Sequence, residues 1–325
     1  FIEDSNAYRQ SPAFERDAAY WHQQLPELPA EVVPRKHQEQ RAQGLASAHL
    51  EVMELPRADY ARLQQQAAAL HITPFNYFFA ALALYFARTA ERDCVVIGVP
   101  SLNRGGRRFR DTFGMFVGVM AMPVTIRPGM TAGELVAAVG LAMRGALRHP
   151  RYPLSEFGRV LEVVRSRRDR IFDVLLSFER QDYAVAFGEA ALVDSRQLFS
   201  GTSRYPLGVT VCEFHDDQDL ELILEGSDAH FDAADMGPLA RRLWHVVHAL
   251  AFAPETPLEQ LSLLPPEEHE AIVHGLHAQL PHHAQTVPWI TAFEQQALLR
   301  PLATALVWDG GSRDYATRDA QANLL

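Results

Sequence analysis

Apolar and polar positions follow two rhythms along this chain, one of period two and one near 3.6. The polar, aromatic opening over residues 1–30 predicts one helix around Ser11 to Leu25. Residues 31–45 (EVVPRKHQEQRAQGL) carry few large apolar side chains, as an exposed loop does. AHLEVME (48–54) alternates and predicts a strand. Pro56 opens a helix with Tyr60, Leu63, Ala67 and Leu70 on one face. Thr73 and Pro74 form an N-cap with Pro at the first helical position. The helix behind them, NYFFAALALYFAR, is apolar nearly all round and is expected to be buried.

Further on, CVVIGVP (94–100) is a continuous apolar, valine-rich run, as in a central strand, and FVGVMAMPVTI (116–126) reads as another. Thr131 and Glu134 form a capping box before a helix with the stripe Leu135, Val136, Val139, Met143 and Leu147. Pro153 starts a shorter helix. FDVLLSF (172–178), PLGVTVCEF (206–214) and LELILEG (220–226) are strands, the last two joined by the polar connection HDDQD. Asp232 begins a helix carrying Leu239, Leu243, Val246, Val247 and Leu250, and a short helix over Pro266 to His277 follows. Strands mixed with helices and lacking a strict βαβ repeat predict an α/β layered domain over residues 1–277. QLPHHAQTVP then reads as a linker (278–288), and residues 289–325 start a new pattern.

Composition narrows the function classes. The chain has 325 residues, 40 acidic and 30 Lys/Arg, for a net charge of −10, which argues against a general nucleic-acid binder. Two cysteines, Cys94 and Cys212, make no disulfide framework and suit a reducing cytoplasm. The longest strongly apolar run, Tyr77 to Ala87, has 11 residues, whereas a membrane span needs about 20. FIEDSNAYRQ has neither the basic nor the apolar region of a secretion signal. It also lacks a starting Met, and QANLL ends without a capping signal, so the chain is expected to be a segment of something longer.

Motifs for nucleophilic, metal and phosphate chemistry are absent: there is no GxSxG, CxxC, HExxH, GxxxxGK[ST] or GxGxxG. Gly105-Gly106 lies among arginines and reads as a flexible turn. His282-His283 is a doublet in the linker with nothing to position its rings; it reads as solvated, with Val287 and Pro288 where HHxxxDG would need Asp and Gly. His149, His230 and His245 read as polar-face or satisfied core residues. Two arginine clusters, RGGRRFR (104–110) and RSRRDR (165–170), admit two readings: solvated loops, or a docking surface for an acidic partner or a phosphate-bearing arm. Arg104, just past a buried strand, is the best single site candidate.

Four segments, in order, resemble the C-terminal lobe of a condensation domain from a non-ribosomal peptide synthetase. FERDAAYW (14–21) is similar to the family's helix ending in Tyr-Trp. TFGMFVGVMAMPV (112–124) resembles IGxFVNTLxLR, keeping Gly114, Phe116 and Val117. HPRYPLSEF (149–157) resembles HQDYPFE, keeping His149, Tyr152 and Pro153. GTSRYPL (201–207) resembles RDTSRNPL, keeping Thr202, Ser203, Arg204, Pro206 and Leu207. Residues 286–325 resemble the start of an adenylation domain, without the region that binds ATP phosphates.

The resemblance implies a two-lobed fold similar to chloramphenicol acetyltransferase. A donor thioester and an acceptor amine, both on the phosphopantetheine arms of peptidyl carrier protein domains, meet at the lobe junction and form an amide. No cofactor or metal is bound directly; the arm is substrate. HHxxxDG belongs to the N-terminal lobe, so this chain is expected to supply one tunnel wall and no catalytic residue, and to be inactive alone. Arg104, Gly114, Met115, Gly118, Thr202, Ser203 and Arg204 are the expected substrate contacts. Arg107, Arg108, Arg167 and Arg168 are expected to dock the carrier. Further partners are the N-terminal lobe and the adenylation domain of the parent chain, with no nucleic acid and no membrane. Three departures stand out: Gly118 replaces the motif's Asn, Pro123 replaces or displaces its Arg, and Tyr205 replaces an Asn. Most motif residues are expected to serve the core. The alternative is a non-catalytic condensation-like docking or scaffold module.

Overall fold

The protein was studied as a computed structural model, which describes residues 1–36, 46–104, 109, 111–163, 168, 170–180, 188, 198–215, 217–279 and 288–323. It divides into two compact units, Phe1–Pro265 and Pro266–Leu325.

The first unit opens with two helices where one was expected, α1 (Ile2–Arg9) and α2 (Pro12–Gln24). Ser11 separates them: its side chain accepts from Phe14 N (3.4 Å) and restarts the chain as an N-cap. Next come β1 (Ala46–Leu55), α3 (Arg57–Ala69), α4 (Pro74–Thr89), β2 (Cys94–Ser101) and β3 (Gly118–Thr125). Then follow α5 (Ala132–Ala146), α6 (Leu154–Val160), β4 (Val174–Arg180), the two-residue β5 (Thr202–Ser203), β6 (Leu207–Glu213), β7 (Leu220–Ser227) and α7 (Ala233–Phe252).

The strands form one mixed sheet in the order β3-β2-β4-β6-β7-β1-β5. The central pairs β2/β4 and β4/β6 are parallel, and the other pairs are antiparallel. β6 and β7 are the expected hairpin, with Leu207 opposite Gly226 and Cys212 opposite Glu221. Pro123 is accommodated because β3 is an edge strand, where a missing N–H breaks no inner ladder.

α4 is buried without a break from Asn76 to Ala87, as its all-round apolar sequence requires, and its Phe78 stacks on Trp244 of α7 at 6.0 Å. Asn76 Oδ1 accepts from Thr73 N (3.1 Å) at its start. The Thr131–Glu134 capping box forms at the start of α5. Two stripe positions differ from expectation. Leu70 and Leu147 are exposed, because each caps its helix and has left the turn that faces the core. Among the described residues, no single helix is long and apolar enough to cross a membrane; α3 and α4 together are, but they are bent by 96° and α4 is core.

The second unit holds α8 (Pro266–Gln279), α9 (Trp289–Leu299), the hairpin strands β8 (Thr304–Trp308) and β9 (Gly311–Asp314), and α10 (Tyr315–Ala322). Asp314 caps α10 by accepting from Thr317 N at 2.7 Å. The sequence placed the helix of Pro266–His277 in the preceding domain. Its apolar residues Ile272 and Val273 are exposed.

Candidate functional site

Residues that the sequence spreads over 200 positions converge on one cavity of about 1320 Å³ in the first unit. Its walls come from α1, the end of β2, the start of β3, the turn into α6, and the segments that precede β4 and β6. Phe172 and Tyr205 form a flat wall, their rings stacked at 5.1 Å. Gly98, under this wall, has no room for a Cβ, which would overlap the Phe172 ring.

Two motif segments clasp each other beside the cavity. Asp17 of α2 is buried and accepts from the Tyr8 hydroxyl (2.6 Å) through one oxygen. Its other oxygen meets His149 Nδ1 at 2.7 Å. Tyr20 stacks on the His149 ring at 4.2 Å, and Trp21 Nε1 donates to the His149 carbonyl at 2.9 Å. His149 is thus a positioned structural residue, as its place in the sequence predicts. Desolvation and the Asp17 carboxylate both push the Tyr8 hydroxyl well above the usual tyrosine value, so it stays a protonated donor. Arg151 completes the group, paired with Asp4 (2.6 Å) and lying 4.3 Å from the Tyr8 ring centre.

The expected substrate contacts fall into three places. Gly118 and Arg204 line the cavity. Arg104 is engaged inside its own loop, where its guanidinium donates to the carbonyls of Phe109 (2.8 Å), Thr112 (2.7 Å) and Gly114 (2.9 Å) and lies 4.2 Å from the Phe116 ring centre. Phe116 therefore sits in a loop cluster with the buried Phe109 and the exposed Phe1, and β3 begins two residues later than its apolar run predicts. Gly114 has φ +143, open to glycine and strained for other residues, and it turns Phe113 and Met115 out into solvent. Thr202 and Ser203 form β5; the buried Ser203 hydroxyl donates to Tyr205 O (2.9 Å) and accepts from Tyr205 N (3.3 Å), which closes the turn beneath Arg204.

Of the four expected docking arginines, Arg107, Arg108 and Arg167 lie outside the described residues. Arg168 is 12% exposed and faces inward: it donates to the Pro29 carbonyl and stands 3.5 Å from Glu31 and 4.0 Å from Asp173. Its guanidinium is engaged within the fold and offers little to a partner. The doublet His282-His283 also lies outside the described residues.

Sequence reasoning missed Tyr8, Arg151, Phe172 and Asn103. Tyr8 was hidden because α1 is polar and was not predicted. Asn103 has φ 46, and its amide Nδ2 lies 4.0 Å from where a Cβ on Gly118 would stand. An amide is therefore present beside a position where the family motif carries one, delivered from the neighbouring strand end.

Neither cysteine lines the cavity. Burial raises both thiols, that of Cys212 to about 12, so neither is a ready nucleophile. Among the described residues no group of three or more His, Cys, Asp and Glu is placed to hold a metal.

A family model described as the condensation domain matches residues 1–273. The chain belongs to the condensation-domain family. Its fold is similar to the first condensation domain of the calcium-dependent antibiotic synthetase (TM-score 0.68, 24% identity, 81% of this chain and 57% of that one). It is also similar to the starter condensation domain of the rhizomide synthetase RzmA, in a doubly substituted form in complex with C8-CoA and Leu-SNAC (TM-score 0.64, 21% identity, 79% and 57%). Among curated proteins, it is 23% identical over 324 residues to the dimodular nonribosomal peptide synthase of Bacillus subtilis (strain 168), spanning 100% of this chain and 13% of that protein. It is 26% identical over 289 residues to the malpibaldin synthetase of Mortierella alpina, spanning 87% of this chain and 5% of that one. The chain therefore spans a small part of the curated relatives it matches.

Proposed function

We propose that this chain is the C-terminal lobe of a condensation domain in a non-ribosomal peptide synthetase, followed by the opening of an adenylation domain. The cavity is one wall of the tunnel in which a carrier-bound donor thioester and acceptor amine are joined. The amine nitrogen attacks the thioester carbonyl, the C–N bond forms, the C–S bond breaks, and the arm leaves as a thiol once a proton reaches sulfur. What the residues of this chain contribute is position. The Phe172–Tyr205 wall, Asn103 and Arg204 hold the reactants together, so that a bimolecular aminolysis becomes effectively unimolecular.

The observation that carries this reading is the match of the condensation-domain model over residues 1–273. It is supported by the kept motif residues Tyr152, Pro153 and Arg204, which converge on one cavity with the substituted motif positions Gly118 and Tyr205. The adenylation opening is supported by the match to the Bacillus synthase, which runs through the tail beyond residue 273, and by the helix–hairpin–helix order α9-β8-β9-α10. On this reading the protein works in the cytoplasm with peptidyl carrier domains as partners and with the N-terminal lobe and the rest of the adenylation domain on the parent chain. Arg107, Arg108 and Arg167 remain the proposed docking residues. Exchanging Arg107 and Arg108 for Glu should weaken carrier binding; unchanged affinity removes them from the interface.

Amide formation from loaded donor and acceptor carrier proteins tests the reading. The isolated chain is expected to give no product above background, whereas the same chain preceded by a lobe bearing HHxxxDG is expected to turn over. Turnover by the isolated chain overturns the placement of the proton-handling histidine on the other lobe. Silence of the joined protein overturns the condensation reading itself.

A further inference from the structure

Gly118 lines the cavity at the start of β3, opposite Ser101 at the end of β2. Nothing in the backbone requires glycine there. Its φ lies outside the left-handed region, and a Cβ built on it would meet a single neighbour at ordinary contact distance, the Asn103 amide Nδ2 at 4.0 Å. The missing side chain leaves an opening in the cavity wall, and the group beside that opening is the Asn103 carboxamide, which lines the same cavity. Asn103 follows β2 with φ 46, a conformation that Asn tolerates better than most residues, often by bonding its side chain to the nearby chain. Here it does not: Asn103 is half-buried, yet it forms no hydrogen bond among the described residues. A carboxamide holds two donors and an acceptor, and leaving them unmatched is costly where water is excluded.

We infer that Gly118 and Asn103 form a subsite for a secondary amide of the cavity's ligand. Gly118 leaves the opening, and the Asn103 carboxamide bonds the ligand amide through its carbonyl or its N–H. This deepens the proposed function and rests on it. Two sources share the chemistry: the amides of the carrier arm, and the peptide bond of a carried chain.

The test is equilibrium binding to the whole chain, using two pairs of neutral probes that differ only as amide and ester. The first pair is pantetheine and its analogue with both amides replaced by esters; the second is acetyl-alanine methylamide and acetyl-alanine methyl ester. An ester lacks the N–H and is the weaker carbonyl acceptor, so either bond to Asn103 is lost or weakened. In at least one pair the amide is expected to bind about three- to tenfold more tightly, the effect of one neutral hydrogen bond. The pair that shows the preference names the source. Asn103→Gly keeps the left-handed backbone while removing the carboxamide, and should bring the amide down to the affinity of its ester. Gly118→Val places a β-branched residue suited to a strand in the opening, and should do the same with Asn103 still present. Equal binding within both pairs, or a preference that survives either variant, overturns the subsite while leaving the cavity a substrate site. Failure of all four probes to bind overturns the subsite and the substrate cavity together.

Discussion

The ring of Phe172 lies directly on Gly98, on the face of β2 that a side chain at this position would occupy. β2 is fully buried here, and the same ring stacks on Tyr205 at 5.1 Å. A missing side chain in the central sheet thus seats one wall of the cavity. Gly98→Ala forces the ring away and is expected to destabilise the first unit by about 1–3 kcal/mol, the usual consequence of overpacking. Urea unfolding measures this. Adding Phe172→Leu should recover part of the loss, because the new methyl then has room. If the double variant is no better than the sum of the single ones, Phe172 is not the group that Gly98 accommodates.

Arg104 acts through the loop it organises. Three carbonyls accept from one guanidinium, and the Phe116 ring lies 4.2 Å from it, so the loop between β2 and β3 is shaped by this side chain. Arg104→Lys keeps the charge but loses the planar fork. Both Arg104→Lys and Arg104→Ala are therefore expected to speed hydrogen exchange over residues 112–117, with a stability loss of about 1.5–3 kcal/mol for the alanine variant. Unchanged exchange in the alanine variant would show that the loop holds its shape without Arg104.

Much of the core was legible in the sequence because burial writes a simple pattern. α4 and β2 are apolar in unbroken runs, and both are central. The β6/β7 hairpin followed from two apolar segments with a polar connection. The cavity was legible only in part. Gly118 and Arg204 were found through motif resemblance, yet their neighbours Tyr8, Arg151 and Phe172 come from segments far apart in the chain, and no local period links them. Arg104 and Arg168 show the opposite error. A guanidinium in an arginine-rich stretch reads as surface, whereas folding turned these two toward carbonyl and carboxylate oxygens of their own chain.

A buried and a half-buried histidine give the first unit a definite response to acid. His230 is 6% exposed, with Nδ1 3.3 Å from the Pro34 carbonyl, and burial lowers its pKa despite that contact. The pKa of His248 is lowered for the same first reason, and its Nε2 has no hydrogen-bond partner among the described residues. Both rings are held neutral in the folded state, so the unfolded chain binds more protons once the pH falls toward the ordinary histidine value of about 6.5. Stability contributed by the neutral rings is complete above that value and declines as the pH falls below it toward the folded pKa. The urea midpoint should therefore drop between pH 7.5 and 5.5, and the drop should be smaller in His230→Gln and in His248→Gln. Equal pH slopes in the wild type and both variants would remove these histidines as the cause.

The end of β6 opposite the cavity supplies a test of how a buried charge is held. Glu213 ends β6 at 4% exposure, with Arg57 Nη1 at 2.8 Å from one oxygen and the Tyr60 hydroxyl at 3.2 Å from the other. Arg57 also donates through Nε to Gln218 O (2.6 Å), and its backbone N–H donates to Asp219 (2.7 Å), so this one residue ties the start of α3 to the β6/β7 connection. Desolvation and the Glu213 carboxylate both push the Tyr60 hydroxyl well above its usual value, which keeps its proton on the side facing the carboxylate. Removing the negative charge alone leaves Arg57 half-buried with no counter-charge, and Glu213→Gln is expected to cost about 3–5 kcal/mol. Arg57→Met in the same background should then cost less than it does in the wild type, because the unpaired charge is gone while the bonds to the β6/β7 connection are lost in both. A double-mutant cycle by urea denaturation measures the coupling directly. Additive losses would mean that the two side chains are neighbours without being partners.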